Sequence, residues 1–360
     1  MKQSDLTARF VQRPQNYAWF LGAGASRNSG LPTATDILLD LKRRYYRQEE
    51  NQDISPQDIQ NEAVQTRIQS FMDSRGFPAR WSENEYTTYF EKIFGENTER
   101  QRQYISAILS EDKVALSVGN RVLGALMSEK LCRAVFTTNF DTVVEKAIAE
   151  MSGRSLSAYH LEGAHNAKNA LDNEEYPFYC KLHGDFRYDS IKNFSSDLEK
   201  QNDALSACLV NAGNRFGFIV VGYSGRDKSV MELFHQVLET QNPFPHGLYW
   251  TGIKGTSINP AVTVFLEKAR NKDIDAQYVE IETFDSFMLR LWRNIDGKPP
   301  QLDTKVRKAR LSEVNIELTP SGQQGPVLRL NAFPILSTPQ KCLSLTFKSP
   351  KDWGELREAT

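Results

Sequence analysis

Six short apolar runs constrain what this chain can fold into. They are residues 17–21 (Tyr-Ala-Trp-Phe-Leu), 133–137, 177–182, 217–222, 247–252 and 276–281. Each is the length of a strand, and helix-length segments fit between most of them. Helical spacing is expected from Thr35 or Asp36, as cap, to about Arg47, then over 141–150, 196–213, 228–240, 259–272 and 284–294. Apolar strands alternating with helices imply an α/β fold: a doubly wound, Rossmann-like parallel sheet.

The remaining segments are read as additions to that sheet. Residues 1–16 are polar and read as a short arm. Residues 48–130 lack convincing strands but carry helical patterning (Ala63-Val64, Ile68, Phe71-Met72; Tyr104-Ile105, Ile108-Leu109), which suggests a helical insertion. Gly297-Lys298-Pro299-Pro300 reads as a linker. Alternation in 312–349, around the turn residues Gly322 and Gly325, reads as a small C-terminal β appendage. The expected division is 1–296 for the sheet domain and 297–360 for an appendage too small to have its own core.

Composition excludes several classes. With 44 Lys plus Arg against 45 Asp plus Glu, the net charge of −1 argues against binding nucleic acid through bulk charge, although it allows a local contact. Of the four cysteines, Cys132, Cys180, Cys208 and Cys342, the closest two are 28 residues apart. No C-x-x-C pair exists, which disfavours a zinc ribbon or a thioredoxin-type site. So few cysteines fit a reducing compartment, and a cytoplasmic location is expected. No apolar run approaches the roughly 18 residues of a spanning helix. Residues 17–25 look superficially like a signal peptide, but Pro14 and an apolar core of only five residues argue against one.

Ligands of open α/β sheets bind beyond the C-terminal strand ends, and four of these ends have distinctive sequences. The first run ends in Gly22-Ala23-Gly24-Ala25-Ser26, followed by Ser29-Gly30-Leu31-Pro32. Such glycines let backbone approach a ligand and can leave amides free for phosphate oxygens, or they make an ordinary tight turn. The Walker Lys-Ser/Thr pair is missing, which weakens NTP hydrolysis as a reading. The second run ends in Thr137-Thr138-Asn139-Phe140-Asp141, where Asp141 can cap a helix and Asn139 has no evident structural task. The third ends in Lys181-Leu182-His183-Gly184-Asp185 and the fourth in Gly222-Tyr223-Ser224-Gly225-Arg226-Asp227, with Asp227 read as a helix cap.

This ordered set, GAGAS, SGLP, TTNFD, LHGD and GYS, resembles the sirtuin (Sir2) superfamily over about residues 17–290. It is most similar to the Sir2-like, NAD-consuming domains of bacterial anti-phage defence. The resemblance implies that Gly22, Ala23, Gly24 and Ser26 hold the NAD diphosphate. It places Asn139 and Asp141 near the nicotinamide ribose, His183 as the catalytic histidine, and Gly222 and Ser224 toward the adenosine. It also implies a homo-oligomer and a HerA-like ATPase partner, with the appendage as docking surface. There are departures from the deacetylase pattern. Thr33-Ala34-Thr35 stands where those enzymes usually carry Asp-Phe-Arg, Thr138 replaces a Gln, and the paired C-x-x-C zinc module is absent.

The implied chemistry is cleavage between ribose C1′ and the pyridinium nitrogen. Neutral nicotinamide leaves without a proton, so the usual pair of carboxylates is dispensable. Asn139 would orient a hydroxyl or water, and His183 would take its proton. The leading expectation is an NAD+ glycohydrolase effector of anti-phage defence that uses no metal. The alternatives are a non-catalytic NAD or ADP-ribose module and an NAD-dependent protein deacylase. Other features read as structural: His160 and His165 as loop residues, Lys42 to Arg47 as a helix with a solvated face, Lys305 to Arg310 as solvated or partner-facing, and Cys180 as packing.

Overall fold

The computed structural model describes residues 1–55, 58–80, 82, 84–95, 97–110, 113–161, 164–185 and 203–307. It also describes four two-residue strands, at 314–315, 329–330, 333–334 and 341–342. By its internal contacts the chain forms two units, Met1–Val306 and Arg307–Thr360.

The first unit is built on seven parallel strands: β1 (Tyr17–Leu21), β2 (Ala134–Thr137), β3 (Ala158–Tyr159), β4 (Phe178–Lys181), β5 (Gly217–Val221), β6 (Leu248–Ile253) and β7 (Ala276–Ile281). Their order is β3-β4-β2-β1-β5-β6-β7, so the chain moves outward on one side of β1 and then returns to build the other side. Phe20 of β1 lies level with Phe136 of β2 and Val220 of β5. The expected doubly wound sheet is present. Six of its strands fall where the apolar runs stand; the seventh, β3, is a two-residue edge strand too short to leave a pattern in sequence.

Alternation along each strand divides the core into two layers. Ala18 and Phe20, with Ala134, Phe136, Phe218 and Val220, face α8 (Ala164–Asp172), α9 (Asp203–Gly213), α10 (Lys228–Leu238) and α11 (Pro260–Arg270). Tyr17, Trp19 and Leu21, with Val135, Ile219 and Val221, face α1 (Gln3–Gln12), α6 (Val118–Ser128), α7 (Val143–Ser152), α12 (Phe284–Asn294) and α13 (Pro300–Arg307).

Three local expectations are corrected. Residues 1–16 are not an arm: α1 buries Leu6 and Phe10 completely, and Phe10 packs edge-on to Trp19. Its remaining positions are polar because only one stripe of the helix meets the sheet. The next helix, α2 (Ala34–Glu50), starts before Thr35, because the Thr33 hydroxyl accepts from the Asp36 amide while Asp36 accepts from the Thr33 amide. The 297–300 stretch, read as a linker to the β appendage, leads first into α13 of the first unit, whose Val306 is fully buried and whose Asp303 accepts from the Trp292 indole at 2.9 Å.

Residues 48–130 are helical as expected, but they serve two different structures. Helices α3 (Glu62–Ser74), α4 (Glu85–Phe94) and α5 (Thr98–Ile108) join α2 around a separate apolar cluster of Leu38, Leu41, Phe90 and Ile105. Helix α6 belongs instead to the sheet. Within the cap formed by α2 to α5, Lys42 is buried and bonds to Glu85 and Gln69, and Arg43 is buried against the Ile54 carbonyl. Only the Arg44 and Arg47 end of that basic run is solvated. The second unit contributes the antiparallel pairs β8 (Val314–Asn315) with β11 (Lys341–Cys342) and β9 (Arg329–Leu330) with β10 (Phe333–Pro334). The rest of the β appendage, residues 196–202 of the expected helix 196–213, and Lys308 and Arg310 lie outside the described residues.

Candidate functional site

The chain order reverses around β1, so the C-terminal ends of β4, β2, β1 and β5 stand side by side. This is where a doubly wound sheet opens a crevice, and these four ends carry His183, Asn139, Gly22 and Gly222.

The glycine loop after β1 is held tightly against the loop after β5. The Gly22 amide donates to the Val221 carbonyl at 2.9 Å, and the Gly24 amide donates to the Gly222 carbonyl at 3.0 Å. A β-carbon on Gly22 would lie 2.4 Å from the Gly222 oxygen, and one on Gly24 would lie 2.8 Å from the Gly222 α-carbon. Gly222 itself has φ +68° and would push a β-carbon to 2.4 Å from the Ala25 nitrogen. These glycines are therefore required by backbone meeting backbone. The Ala25 and Ser26 amides are also engaged, with the carbonyls of Gly22 and Ala23. Four of the loop's backbone donors, the amides of Gly22, Gly24, Ala25 and Ser26, thus have acceptors within the protein.

Asn139 has the structural task that its sequence context concealed. Its side-chain amide donates to the Gly22 carbonyl and to the Ser26 hydroxyl, each at 3.2 Å, and so ties the loop to β2. From α6, Asn120 holds the same loop by donating to the Ala25 carbonyl and the Ser29 hydroxyl. The Asn139 carbonyl oxygen, Oδ1, is buried and accepts from no donor among the described residues. A buried acceptor without a donor is costly, and a ligand hydroxyl could supply the missing bond. Ser26 is buried beside it. Asp141 is buried too; it accepts from the Val143 amide at 3.0 Å, but the residue that caps α7 is Thr142, one position later than expected.

His183 is 6% exposed, with Nε2 2.9 Å from Asp227 Oδ2. The two are in ion-pair range, although the N–H direction falls off the line of a well-formed hydrogen bond. The other Asp227 oxygen accepts from the Ser229 and Val230 amides at the start of α10, so Asp227 is the helix cap expected and a partner of the histidine as well. Burial acts to raise the Asp227 carboxyl, but His183, the Ser229 hydroxyl and the Val230 amide together hold it below the usual carboxylate range. Phe140 lies 6.4 Å from the His183 ring, centroid to centroid, and also packs into the cap's apolar cluster with Val143 and Leu31. Ser224 is exposed at the rim.

Beneath the histidine lies a group of charges that sequence reasoning missed. Lys181 is fully buried, and its ammonium reaches Asp185 at 2.6 Å, Glu145 at 2.7 Å and the Asp141 carbonyl at 2.6 Å. Burial pushes the Asp141 and Glu145 carboxyls up, with the Lys181 charge opposing it. A lysine inside an otherwise apolar strand was the available signal, since such a charge is buried only with partners. Among the described residues, no group of three or more His, Cys, Asp or Glu is arranged to hold a metal ion. Cys180 is buried packing, its thiol pushed up by that burial.

Residues 133–271 match the family model for a SIR2-like domain. The match runs from the start of β2 to the end of α11 and contains Asn139, Asp141, His183, Gly222, Ser224 and Asp227; the Gly22–Ser26 loop lies outside it. No curated protein matches. Similar solved chains include one described as "Structural Basis for the Mechanism and Regulation of Sir2 Enzymes", at 13% identity and TM-score 0.40, covering 83% of this chain and 97% of that one. A second, "The Structural basis of Sirtuin Substrate Affinity", has 13% identity and TM-score 0.40, covering 77% and 93%. A third, a Sir2 mutant with a p53 peptide and NAD, has 13% identity and TM-score 0.36, covering 81% and 98%. Similarity at this level assigns no residue a role. No helix among the described residues is long and apolar enough to cross a membrane.

Proposed function

We propose that this chain, whose residues 133–271 match a SIR2-like domain, is an NAD-using enzyme that breaks the bond between nicotinamide and ribose. The observation that carries this reading is Asn139 Oδ1, a buried acceptor without a donor among the described residues, on a strand end adjacent to that of His183. The residues fit a ribose in that position: its hydroxyls are the donors Oδ1 lacks, and His183 is a base for one of them. When bound, NAD supplies a leaving group that departs neutral. The protein's part is to orient a hydroxyl or water, receive its proton and keep bulk water out.

The ADP-ribosyl group has two possible acceptors. The domain match supports transfer to an acylated lysine, the deacylase reading, at least as well as hydrolysis. Hydrolysis to ADP-ribose is favoured by the cysteines: Cys132, Cys180 and Cys208 are packed in the core, so they do not form the thiolate set of a deacetylase zinc module. A role in anti-phage defence, a homo-oligomer and a HerA-like ATPase partner rest on the order of the sequence motifs alone.

The test is to incubate purified protein with NAD, with and without an acetylated peptide and a candidate ATPase, and to follow nicotinamide and ADP-ribose. Nicotinamide release that requires peptide establishes deacylation, and release without peptide establishes hydrolysis. Binding of NAD with no turnover in any mixture refutes the enzymatic reading and leaves a binding module.

A further inference from the structure

We propose that Asp227 is a positioning residue for His183, fixing the imidazole so that Nδ1, not Nε2, is the nitrogen that receives the substrate's proton. This deepens the proposed NAD chemistry and rests on it.

The inference comes from how the two Asp227 oxygens are divided. Oδ1 is committed to the amides of Ser229 and Val230 at 3.0 and 3.3 Å and to the Ser229 hydroxyl at 2.8 Å, which anchors the carboxylate to the first turn of α10. Oδ2 is thereby held 2.9 Å from His183 Nε2. A carboxylate only accepts, so the nitrogen 2.9 Å from it is the protonated one in the neutral ring, although its N–H is angled off the line to Oδ2. Nδ1 has no hydrogen-bond partner among the described residues, and with the proton on Nε2 it carries the free lone pair. The Asp227 carboxylate is itself held in the ionised form at the helix start.

The other charged groups nearby are already committed elsewhere. Lys181 and Asp185, on the histidine's own segment, bond to each other, and Glu145 of α7 joins them. Asp141 accepts from Val143. The Tyr223 hydroxyl donates to the Asp227 carbonyl, not to its carboxylate. In the step itself, a proton passes from a water molecule to Nδ1. The electron pair it leaves stays on that oxygen, which attacks C1′ as nicotinamide departs with the C1′–N pair. The imidazolium so formed has the Asp227 charge beside Nε2.

Asp227→Asn separates this role from helix capping, because Asn is an equally good cap. Its amide oxygen can keep the α10 amides while its NH2 group replaces Oδ2. An NH2 donor facing Nε2 forces the ring proton onto Nδ1 and blocks the acceptor. Long-range 1H–15N correlation spectra of the full chain should show Nε2–H in the wild type and Nδ1–H in Asp227→Asn. The variant's kcat for nicotinamide release should fall about 100-fold or more, with KM for NAD and Tm close to wild type. Nothing further should be lost when Asp227→Asn is added to His183→Ala. A wild-type ring protonated at Nδ1, or an unchanged kcat in Asp227→Asn, overturns the proposal. A wild type that releases no nicotinamide refutes the NAD chemistry instead, and the spectra still decide how Asp227 sets the ring.

Discussion

The Gly24 amide donates to the Gly222 carbonyl across 3.0 Å, binding the loop after β1 to the loop after β5 although the two residues are nearly 200 positions apart. No side chain fits between them. Gly222→Ala combines a left-handed backbone with a methyl 2.4 Å from the Ala25 nitrogen. It is expected to destabilise the first unit by about 1–3 kcal/mol or more. Gly153→Ala is the control, since Gly153 also has positive φ but nothing within 4 Å of the added carbon. Urea unfolding of both variants should show the larger loss at Gly222; equal losses mean the contact between the loops contributes nothing.

Asn139→Ala removes an open acceptor and two ties to the loop together. The expected result is near-complete loss of nicotinamide release with a stability cost of about 1–3 kcal/mol. Asn139→Asp keeps an acceptor at the site but sets a carboxylate against the Gly22 carbonyl, so it should fail to restore the loop. Substantial activity in Asn139→Ala, measured by nicotinamide chromatography, contradicts this role.

The cluster around Lys181 makes stability depend on pH in a specific direction. Asp141 and Glu145 have folded-state carboxyls raised by burial, so the folded protein binds protons more tightly there than the unfolded chain does. Their contribution is greatest below the ordinary carboxylate range and is lost as pH rises through the raised folded values. Lys181 moderates that loss. Lys181→Met should therefore cost about 3–5 kcal/mol near neutrality and measurably less at pH 5. Thermal melts at pH 5 and pH 8 give the comparison; a penalty independent of pH means the carboxyls do not feel the lysine.

The end of the first unit predicts where the chain can be cut. Val306 is fully buried and Leu302 nearly so, in the same apolar layer as Trp292. A chain ending at Arg307 should melt like the full-length protein, whereas one ending at Pro299 should melt lower. If residues beyond 307 carry self-association, light scattering should show the 1–307 chain at a lower mass than the full chain. Identical masses remove that role from the C-terminal segment.

The strand ends were legible in sequence because runs such as YAWFL and GFIVV are apolar on both faces and break at glycine. The placing of Asn139 and His183 at strand ends follows from that; that their strands are neighbours came only with the sheet order. Helix α1 was not legible, since Leu6 and Phe10 alone form its fully buried stripe among charged neighbours. The reason for Gly22 and Gly24 was hidden because the atoms they avoid belong to Gly222 and Tyr223. Asp227 was recognised as a cap from its local sequence; its second oxygen could be assigned only once β4 and β5 were placed in the sheet. The buried Lys42–Glu85 pair in the cap was likewise invisible, because helical spacing alone does not say that a second helical layer covers that end of α2.

Because β1 is central and β5 comes late, the site depends on contributions from both ends of the first unit's sequence. A chain still being made, or one broken off before residue 217, would contain Asn139 and His183 but neither the glycine that braces the first loop nor the acid that sets the histidine ring. Under the proposed reading, His183 is translated well before Asp227, the residue assigned to set its ring, so such fragments would be inert.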